Sequence, residues 1–442
     1  MSDIALPLSV GEADRYPPIT PRQVTAAVAG NALEFYDFTV YATFASQIAH
    51  NFFPARSPFL SLMLTLITFG VGFLLRPIGA VAIGWWADRH GRRPAMMFSF
   101  ALMGVSILGL ALTPSYAVIG AAAPALVLFW RLCQGFALGG EVGPTTAFLV
   151  EAAPPARRGL YGAWQGGSQN LANIAGGVVG VVLAHTAGAA SLDLWGWRVA
   201  FLLGAAVLPF GLILRRNLPE TLHRPETHSA VHPETTAWRH TFVASLPVLA
   251  RGMGLVAAST VSTYVFSYMT TYAFKTLHMP AGVSLGATVM SGACGLTGGL
   301  LGGVLSDRLG RRALLIWPRV VFLLVTWPAF LLLVRNHDAP TLLGATALIT
   351  FTSALSTASV FVSISESLRK DVRVLGMGAA YALAVAVFGG STQPVIAALI
   401  EYTHDPMSPA WYMMAFTAIG LVASILTRET AHRRVVVAST NG

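Results

Sequence analysis

Charged residues are scarce in this sequence, and their scarcity excludes most classes of soluble protein. Of the 442 residues, only 11% are Asp, Glu, Lys or Arg, whereas 55% are hydrophobic. A soluble globular chain carries about 25% charged residues. Together with a mean hydropathy of +0.64, this composition predicts a polytopic membrane protein.

Cysteine is also scarce, since only Cys133 and Cys294 occur and both lie in apolar runs. Two such residues can build neither a disulfide framework nor a zinc site. The sequence contains no phosphate-binding P-loop, no metal-spaced histidine cluster and no Gly-x-Ser-x-Gly elbow. We therefore expect no metal, no cofactor and no enzyme activity, and any transport would draw its energy from a gradient.

Long apolar runs dominate the chain instead. A helix needs about 20 apolar residues to cross a hydrocarbon core of about 30 Å. Twelve runs meet this requirement, which predicts an all-α membrane protein with 12 transmembrane helices. These spans, numbered one to twelve in chain order, cover approximately residues 24–50, 59–87, 95–113, 118–150, 158–186, 197–215, 246–274, 281–305, 313–334, 341–365, 373–400 and 409–427.

The cations lie mainly in the connections on one side of these spans. Most of the 28 Lys and Arg residues fall on the side of the N-terminus, whereas Arg56, Arg198, Lys275 and Arg335 fall on the other. The positive-inside rule then places both termini in the cytoplasm, as expected for a multi-pass protein of the cell inner membrane. The excess of Lys and Arg in these connections also accounts for the net charge of +9, so no nucleic-acid partner is needed to explain it.

A repeated loop divides the chain into two halves. Residues 84–93 and 303–312 share the pattern G-x-x-x-D-R-x-G-R-R, and Glu151 before Arg157 is echoed by Glu366 before Arg369. Two six-helix halves with matching loops predict a parallel repeat. We expect a cytoplasmic tail, a six-helix bundle, a cytoplasmic central loop, a second six-helix bundle and a cytoplasmic tail over residues 1–22, 23–216, 217–240, 241–428 and 429–442.

These loops resemble the signature of the major facilitator superfamily, and Arg131-Leu-Cys-Gln134-Gly135 resembles its second motif. Residues 30–38 and 76–79 resemble patterns of the metabolite:proton symporter family. Within that family, several segments resemble citrate-proton symporters and their tricarballylate relatives, namely 57–93, 195–198, 371–403 and the end of span twelve. The resemblance implies a major facilitator fold and a proton-coupled symporter. Such a symporter imports a small di- or tricarboxylate by alternating access, with citrate or tricarballylate favoured.

Other functions remain open at this point. Relatives of the family carry 2-oxoglutarate, shikimate, betaine or proline, so the substrate could be any such metabolite. A drug-efflux antiporter is a further alternative, although buried arginines suit anions better than cations. Neither an intramembrane catalytic constellation nor a large soluble sensor domain is recognisable. Sodium could replace the proton, and we expect a monomer.

Charges inside the spans are the sharpest indications of function, because a central Arg or Asp costs about 2.5–3.5 kcal/mol on insertion scales. Glu34 and Asp37 are three residues apart and share one helix face. Two carboxylates this close disfavour simultaneous ionisation, so one can hold a proton. We therefore predict proton coupling through Glu34, Asp37 and their counter-ion Arg131. A permanent ion pair with Arg76 or Arg131 is the alternative.

Recognition of a carboxylate substrate needs donors such as guanidinium groups. Arginines occur within spans two, four and nine, and amides and tyrosines recur at four-residue spacing along spans five and seven. Arg319 could face a central site or extend to the headgroups at its end of the span. The same two orientations are possible for Arg251. The predicted substrate-binding residues are Arg76, Arg131, Gln165, Gln169, Asn173, Tyr264, Tyr268 and Arg319.

The repeated loop is predicted to be a conformational latch. Asp88 ends span two, where it can accept hydrogen bonds from Arg92 or from a neighbouring helix N-terminus. The resemblance implies that this contact joins the halves on the cytoplasmic side and stabilises the outward-open state. The alternative is that these arginines only set topology. The predicted latch residues are Gly84, Asp88, Arg89, Gly91, Arg92, Asp307, Arg308, Arg311, Glu151 and Glu366.

Overall fold

The computed structural model of the protein describes residues 21–90, 92–139, 153–154, 157–216, 235–367 and 381–430. Within these ranges the chain consists of helices and short connections, and it contains no β-strand. The prediction of an all-α membrane protein is thus confirmed. Helices are expected in lipid because each satisfies its backbone hydrogen bonds within its own segment.

The first half of the chain supplies spans one to six, and two of these each consist of two successive helices. Span one consists of Pro21–Thr43 and Ala45–Phe52, and span two consists of Pro58–Leu74 and Arg76–His90. Spans three to six are Arg92–Leu112, Ala122–Gly139, Arg158–Thr186 and Trp197–Arg216. The connections hold the short helices Tyr116–Ile119 and Gly188–Ser191 and the π-helical turn Leu192–Gly196.

The second half supplies spans seven to twelve. Spans seven to ten are Thr235–Lys275, Ala281–Leu309, Arg311–Asn336 and Ala339–Ser367. Span eleven runs through the π-helical turn Val385–Gly389 into Gly390–Thr403, and span twelve is Ser408–Leu426. Prolines inside spans seven, nine and eleven are tolerated, because neighbouring helices can satisfy the freed backbone groups.

Eight of the described helices are long and apolar enough to cross a membrane. They are Pro58–Trp86, Ala122–Gly139, Leu246–Lys275, Ala281–Leu309, Arg311–Asn336, Ala339–Ser367, Tyr381–Thr403 and Ser408–Leu426. Span three contributes a shorter apolar helix, Met97–Leu112. The middle of span one carries Asn31, Glu34 and Asp37, which lowers the mean hydropathy of that span.

The start of span seven differs from the expectation. Its helix begins at Thr235, within the stretch 217–240 that we expected to form the central loop. A count of apolar residues finds only the part that lies in lipid. Polar residues can continue the same helix into water, where hydropathy no longer marks its end.

The two halves meet along two pairs of spans that are lined by glycine. In spans five and eight, a side chain at Gly159 would lie 2.5 Å from the carbonyl oxygen of Gly303. In spans two and eleven, a side chain at Gly70 would collide with the carbonyl oxygen of Gly390. Small residues at such positions allow close helix approach in membranes, where packing rather than water exclusion drives association.

Candidate functional site

A central cavity lies between the two halves. Within the described part of the chain, its lining comes from spans one, two, five, seven, eight, ten and eleven and carries no charge. The polar lining residues are Thr39, Gln169, Asn170, Asn173, Ser259, Thr260, Thr263, Tyr264, Ser267, Ser291, Thr350, Ser353, Thr357 and Tyr381. Hydroxyls and amides facing a cavity in lipid can hold water or a polar solute.

The cavity lies toward the arginine-rich end, by which we mean the end of the bundle that carries Arg89, Arg308 and Arg311. At the opposite end, Ala45 of span one and Leu62 and Leu66 of span two are buried in the core of the second half. The Phe59 and Tyr402 rings also meet there, with centroids 6.4 Å apart. The opposite end is therefore closed by apolar packing between the halves.

A buried ion pair lies behind the cavity wall. The Nη1 atom of Arg131 is 3.1 Å from the Oδ2 atom of Asp37, and both side chains are 0% exposed. The same nitrogen donates to Oε1 of Gln134 at 2.6 Å. The other oxygen of Asp37 and two guanidinium nitrogens of Arg131 have no hydrogen-bond partner among the described residues. Asp37 and Arg131, two of the predicted proton-coupling residues, are thus brought together as an ion pair, and their role in proton coupling stays a prediction.

Aromatic rings surround the two arginines of this region. The guanidinium carbon of Arg131 lies 4.5 Å from the Phe38 ring centroid and 4.4 Å from that of Tyr41. Arg76 lies 4.8 Å from Phe38 and 4.1 Å from Phe73. Phe38 is therefore close to both cations, and it also lines the cavity. Such contacts contribute about 2 kcal/mol or more each when desolvated.

Arg76 and Glu34 are both buried, at 3% and 2% exposure. None of the three guanidinium nitrogens of Arg76 has an acceptor at hydrogen-bond geometry among the described residues. Its phenolic neighbours Tyr264 and Tyr381 belong to the second half of the chain. Arg76 is thus a desolvated cation at the boundary between the halves.

Span five divides its polar side chains between two faces. Gln169 and Asn173 line the cavity, and Asn173 accepts a hydrogen bond from the Thr39 hydroxyl at 2.7 Å. Gln165 is buried outside the lining, and its backbone carbonyl accepts a hydrogen bond from the side-chain amide of Asn31 at 3.5 Å. The predicted stripe is therefore only partly a cavity face.

The tyrosines of span seven also lie in different surroundings. Tyr264 lines the cavity, and its ring lies 5.2 Å from the Phe73 ring of the first half. Tyr268 is buried in the core of the second half and is not among the lining residues. Tyr272 donates to the carbonyl of Pro406 at 2.7 Å and fixes the connection before span twelve.

Arg319 neither lines the cavity nor extends to the surface. Its side chain is 3% exposed and donates to the Leu315 carbonyl at 2.9 Å and to the Ser424 hydroxyl at 3.0 Å. Its other terminal nitrogen is 3.5 Å from Oγ of Ser259, a cavity-lining residue. Arg251, by contrast, is bound to the carbonyl of Leu426 at the arginine-rich end.

The second copy of the repeated loop joins the two halves. Asp307 accepts hydrogen bonds from the backbone amides of Gly159 at 2.8 Å and Leu160 at 3.0 Å, the first turn of span five. Arg311 donates to Asp307 at 2.8 Å and to Glu366 at 3.3 Å. A carboxylate on the unpaired amides of a helix start is favourable both as a hydrogen-bond acceptor and in the field of the helix dipole.

The residues after span twelve extend this network. The carboxylate of Glu429 accepts the backbone amides of Arg311 at 2.9 Å and Arg312 at 3.0 Å, which caps the start of span nine. Thr430 donates to Glu366 at 2.7 Å. The carboxylates of Asp307 and Glu429 therefore each cap a helix start, and Arg311 connects them.

The first copy of the loop is described only in part. Gly91 and Glu151 lie outside the described residues, as do the side chains of Asp88 and Arg92, so the predicted contacts of Asp88 stay a prediction. Gly84 has open space around its α-carbon. The exposed guanidinium of Arg89 stacks 3.6 Å from the Trp85 ring, and Arg308 is likewise exposed.

Several residues at these sites escaped the sequence-based prediction, among them Gln134, Tyr381 and Glu429. Gln134 lies in the quoted second motif, and its position three residues after Arg131 could have indicated a partner on the same helix face. Tyr381 and Glu429 lie beyond any periodic pattern and gave no usable signal. In the described residues, no group of His, Cys, Asp and Glu could hold a metal ion.

The helical architecture, the neutral central cavity and the buried charges beside it are those of a membrane transporter. The chain belongs to the major facilitator superfamily, whose family model matches residues 27–394. Both the predicted fold and the predicted family are confirmed.

Characterised relatives resemble nearly the whole chain. A citrate-proton symporter from Salmonella typhi is 37% identical over 91% of this chain and 93% of its own length. One from Klebsiella pneumoniae is 38% identical over 91% and 90%. An alpha-ketoglutarate permease from Escherichia coli is 35% identical over 91% and 92%.

Solved structures share the same architecture. The xylose transporter XylE from E. coli, in a partially occluded inward-open conformation, superposes with a TM-score of 0.72 at 17% identity, covering 93% of this chain and 98% of XylE. This similarity concerns the fold alone.

Proposed function

We propose that this protein imports a small di- or tricarboxylate, citrate or tricarballylate foremost, together with protons across the inner membrane by alternating access. The observation that carries the proposal is the buried pair of Asp37 and Arg131, 3.1 Å apart, with Arg76 nearby and the cavity beside them. The similarity to citrate-proton symporters supports the choice of substrate.

The pair can couple a proton to a carboxylate. While Asp37 is ionised, it holds Arg131, whose other contact is the amide oxygen of Gln134. Protonation of Asp37 removes the charge partner of Arg131 and leaves its guanidinium available for a substrate carboxylate. Release of both proton and substrate on the other side restores the pair. Glu34, one helical turn away, is a second candidate proton carrier.

The substrate would occupy the neutral cavity, where Gln169, Asn173 and Tyr264 supply hydrogen-bonding groups. The polar side chains there give orientation, and the cations behind them supply the charge that favours an anion. Arg319 acts on this site indirectly, through Ser259.

Alternating access requires the two bundles, 23–216 and 241–428, to rock about the cavity. We assign the latch that joins them at the arginine-rich end to Asp307 with Arg311 and Glu366, and by the internal repeat to Asp88 with Arg92 and Glu151. We place both termini and this end in the cytoplasm, and we propose that the protein acts as a monomer. Accessibility of tagged termini in cells and in inverted vesicles checks this orientation.

Uptake into proteoliposomes tests the function. With an acidic exterior, labelled citrate should accumulate inside vesicles that contain the purified protein, and a protonophore should abolish the accumulation. Tricarballylate, 2-oxoglutarate and betaine are compared in the same vesicles, because relatives include an alpha-ketoglutarate permease and proline/betaine transporters. Failure of every polycarboxylate to accumulate under any proton or sodium gradient would refute the proposal.

A further inference from the structure

Arg76 combines deep burial with unused hydrogen-bonding capacity. Its side chain is 3% exposed, and none of its three guanidinium nitrogens has an acceptor at full hydrogen-bond geometry in the part of the chain that the structure describes, although the Tyr264 phenol lies close enough to interact with it. Phe38 and Phe73 cover it with aromatic rings at 4.8 and 4.1 Å. Rings stabilise the charge, but they leave the N–H groups without acceptors, and unsatisfied buried donors are costly.

Two phenols of the cavity lining lie near this cation. Tyr264 of span seven and Tyr381, which precedes the π-helical turn of span eleven, both line the cavity and both interact electrostatically with Arg76. The Tyr264 ring also contacts the rings of Phe69 and Phe73, at centroid distances of 6.0 and 5.2 Å. Arg76 of the first half thus has two phenols of the second half as neighbours: Tyr264 shares the Phe73 ring with it, and Tyr381 interacts with it electrostatically.

We propose that Arg76, Tyr264 and Tyr381 form a carboxylate subsite that spans the two halves and is separate from the Asp37–Arg131 pair. A guanidinium can bind both oxygens of a carboxylate, and phenolic hydroxyls can donate to the same oxygens. A carboxylate that enters between the phenols would satisfy the nitrogens of Arg76. This inference rests on the proposed function, because it assigns one carboxylate of the transported acid to a place in the cavity.

The subsite has two consequences for transport. A carboxylate held by both halves draws them together, so substrate binding itself favours closure around the cavity. An acid with a second carboxylate can engage the subsite and Arg131 simultaneously, whereas a monocarboxylate can engage only one of them. The subsite therefore selects for di- and tricarboxylates.

A matched pair of ligands tests the subsite directly. Binding of tricarballylate and of its diamide, which has nearly the same size but only one carboxylate, is measured on the purified full-length protein by isothermal titration calorimetry. We expect the wild type to bind the acid at least about tenfold more tightly than the diamide, since charge-assisted bonds exceed neutral ones. The ratio of the two dissociation constants should fall several-fold in each of three variants, Tyr264→Phe, Tyr381→Phe and Arg76→Lys.

Tyr268→Phe is the control, because Tyr268 lies one turn from Tyr264 but outside the lining. It should keep the wild-type preference. A preference that stays unchanged in both Tyr264→Phe and Tyr381→Phe would overturn the subsite. Wild-type protein that binds neither ligand would overturn the proposed function as well, so the two failures are distinguishable. Melting temperatures of the variants separate lost recognition from lost folding.

Discussion

The two halves of the molecule carry their described ion pairs at different depths. In the first half, Asp37 and Arg131 pair in the middle of the bundle, where both are fully buried. In the second half, Arg311 pairs with Asp307 and Glu366 at the arginine-rich end. The cavity-facing surface of the second half carries hydroxyl groups instead of charges.

This difference indicates that the two ion pairs have different roles. An ion pair in the middle of the membrane is costly to desolvate, and it is useful where a proton or an anion must exchange partners. An ion pair at the end of the bundle costs less and can break when the halves move apart. Hydroxyl groups can both donate and accept hydrogen bonds, so they can orient a solute whether or not it is charged.

The largest effect should follow from breaking the central pair. Asp37→Asn removes the group that binds the proton and leaves Arg131 without its carboxylate, so proton-driven accumulation of substrate should be lost. Equilibrative exchange should persist. Removing one partner of a buried pair also costs about 3–5 kcal/mol of stability. Uptake with an imposed pH gradient, counterflow and melting temperature measure the three effects.

Tyr36→Phe is the matched control for this variant. Tyr36 precedes Asp37, but its hydroxyl donates to the carbonyl of Ala200 in span six at 3.0 Å, away from the pair. It should retain accumulation. If Asp37→Asn still concentrated substrate against a pH gradient, the assignment of the proton to this pair would be wrong.

An intermediate effect is expected at the latch. Asp307→Asn loses the charge that binds two helix-start amides and Arg311, a change of about 2 kcal/mol, or about 30-fold in the equilibrium between closed and open ends. Distances between spin labels on spans five and eight should shift toward separation at the arginine-rich end. Transport should fall while membrane insertion stays intact.

The same exchange at the first copy of the loop, Asp88→Asn, should also reduce transport. A larger effect at Asp88 would identify the first half as the dominant latch. If Asp307→Asn and Asp88→Asn both kept the wild-type distances between the spin labels and full transport, the latch would be refuted. Setting the membrane topology would then be the only role of these loops.

The smallest effect is expected on the hydroxyl surface. Thr350 and Thr346 lie one turn apart in span ten, and neither hydroxyl has a partner among the described residues, but only Thr350 lines the cavity. Thr350→Val should raise the KM for substrate by about 2–5-fold, the equivalent of one hydrogen bond of about 0.5–1 kcal/mol. Thr346→Val should leave the KM unchanged. Equal KM values in the two variants would show that the Thr350 hydroxyl does not contribute to substrate binding.

Much of this architecture could be predicted from sequence because lipid imposes simple rules. Apolar runs of sufficient length locate the spans, and a charge inside such a run identifies a functional candidate, as Asp37, Arg76 and Arg131 did. Periodicity identified polar stripes but could not orient them. Gln165 and Tyr268 fit the same four-residue spacing as Gln169 and Tyr264, yet they are buried outside the cavity lining.

Sequence alone determined the helical class, the approximate spans, the twofold repeat and the partnership of Asp37 with a cation, because these depend on hydropathy and on the cost of burying charge. Only the tertiary structure decided which residues meet across the halves. It brought Tyr264 to the Phe73 ring that covers Arg76, Asp307 to the start of span five, and Glu429 to the start of span nine. These contacts join residues far apart in the chain, and they depend on how the helices rotate and pack, which no local pattern encodes.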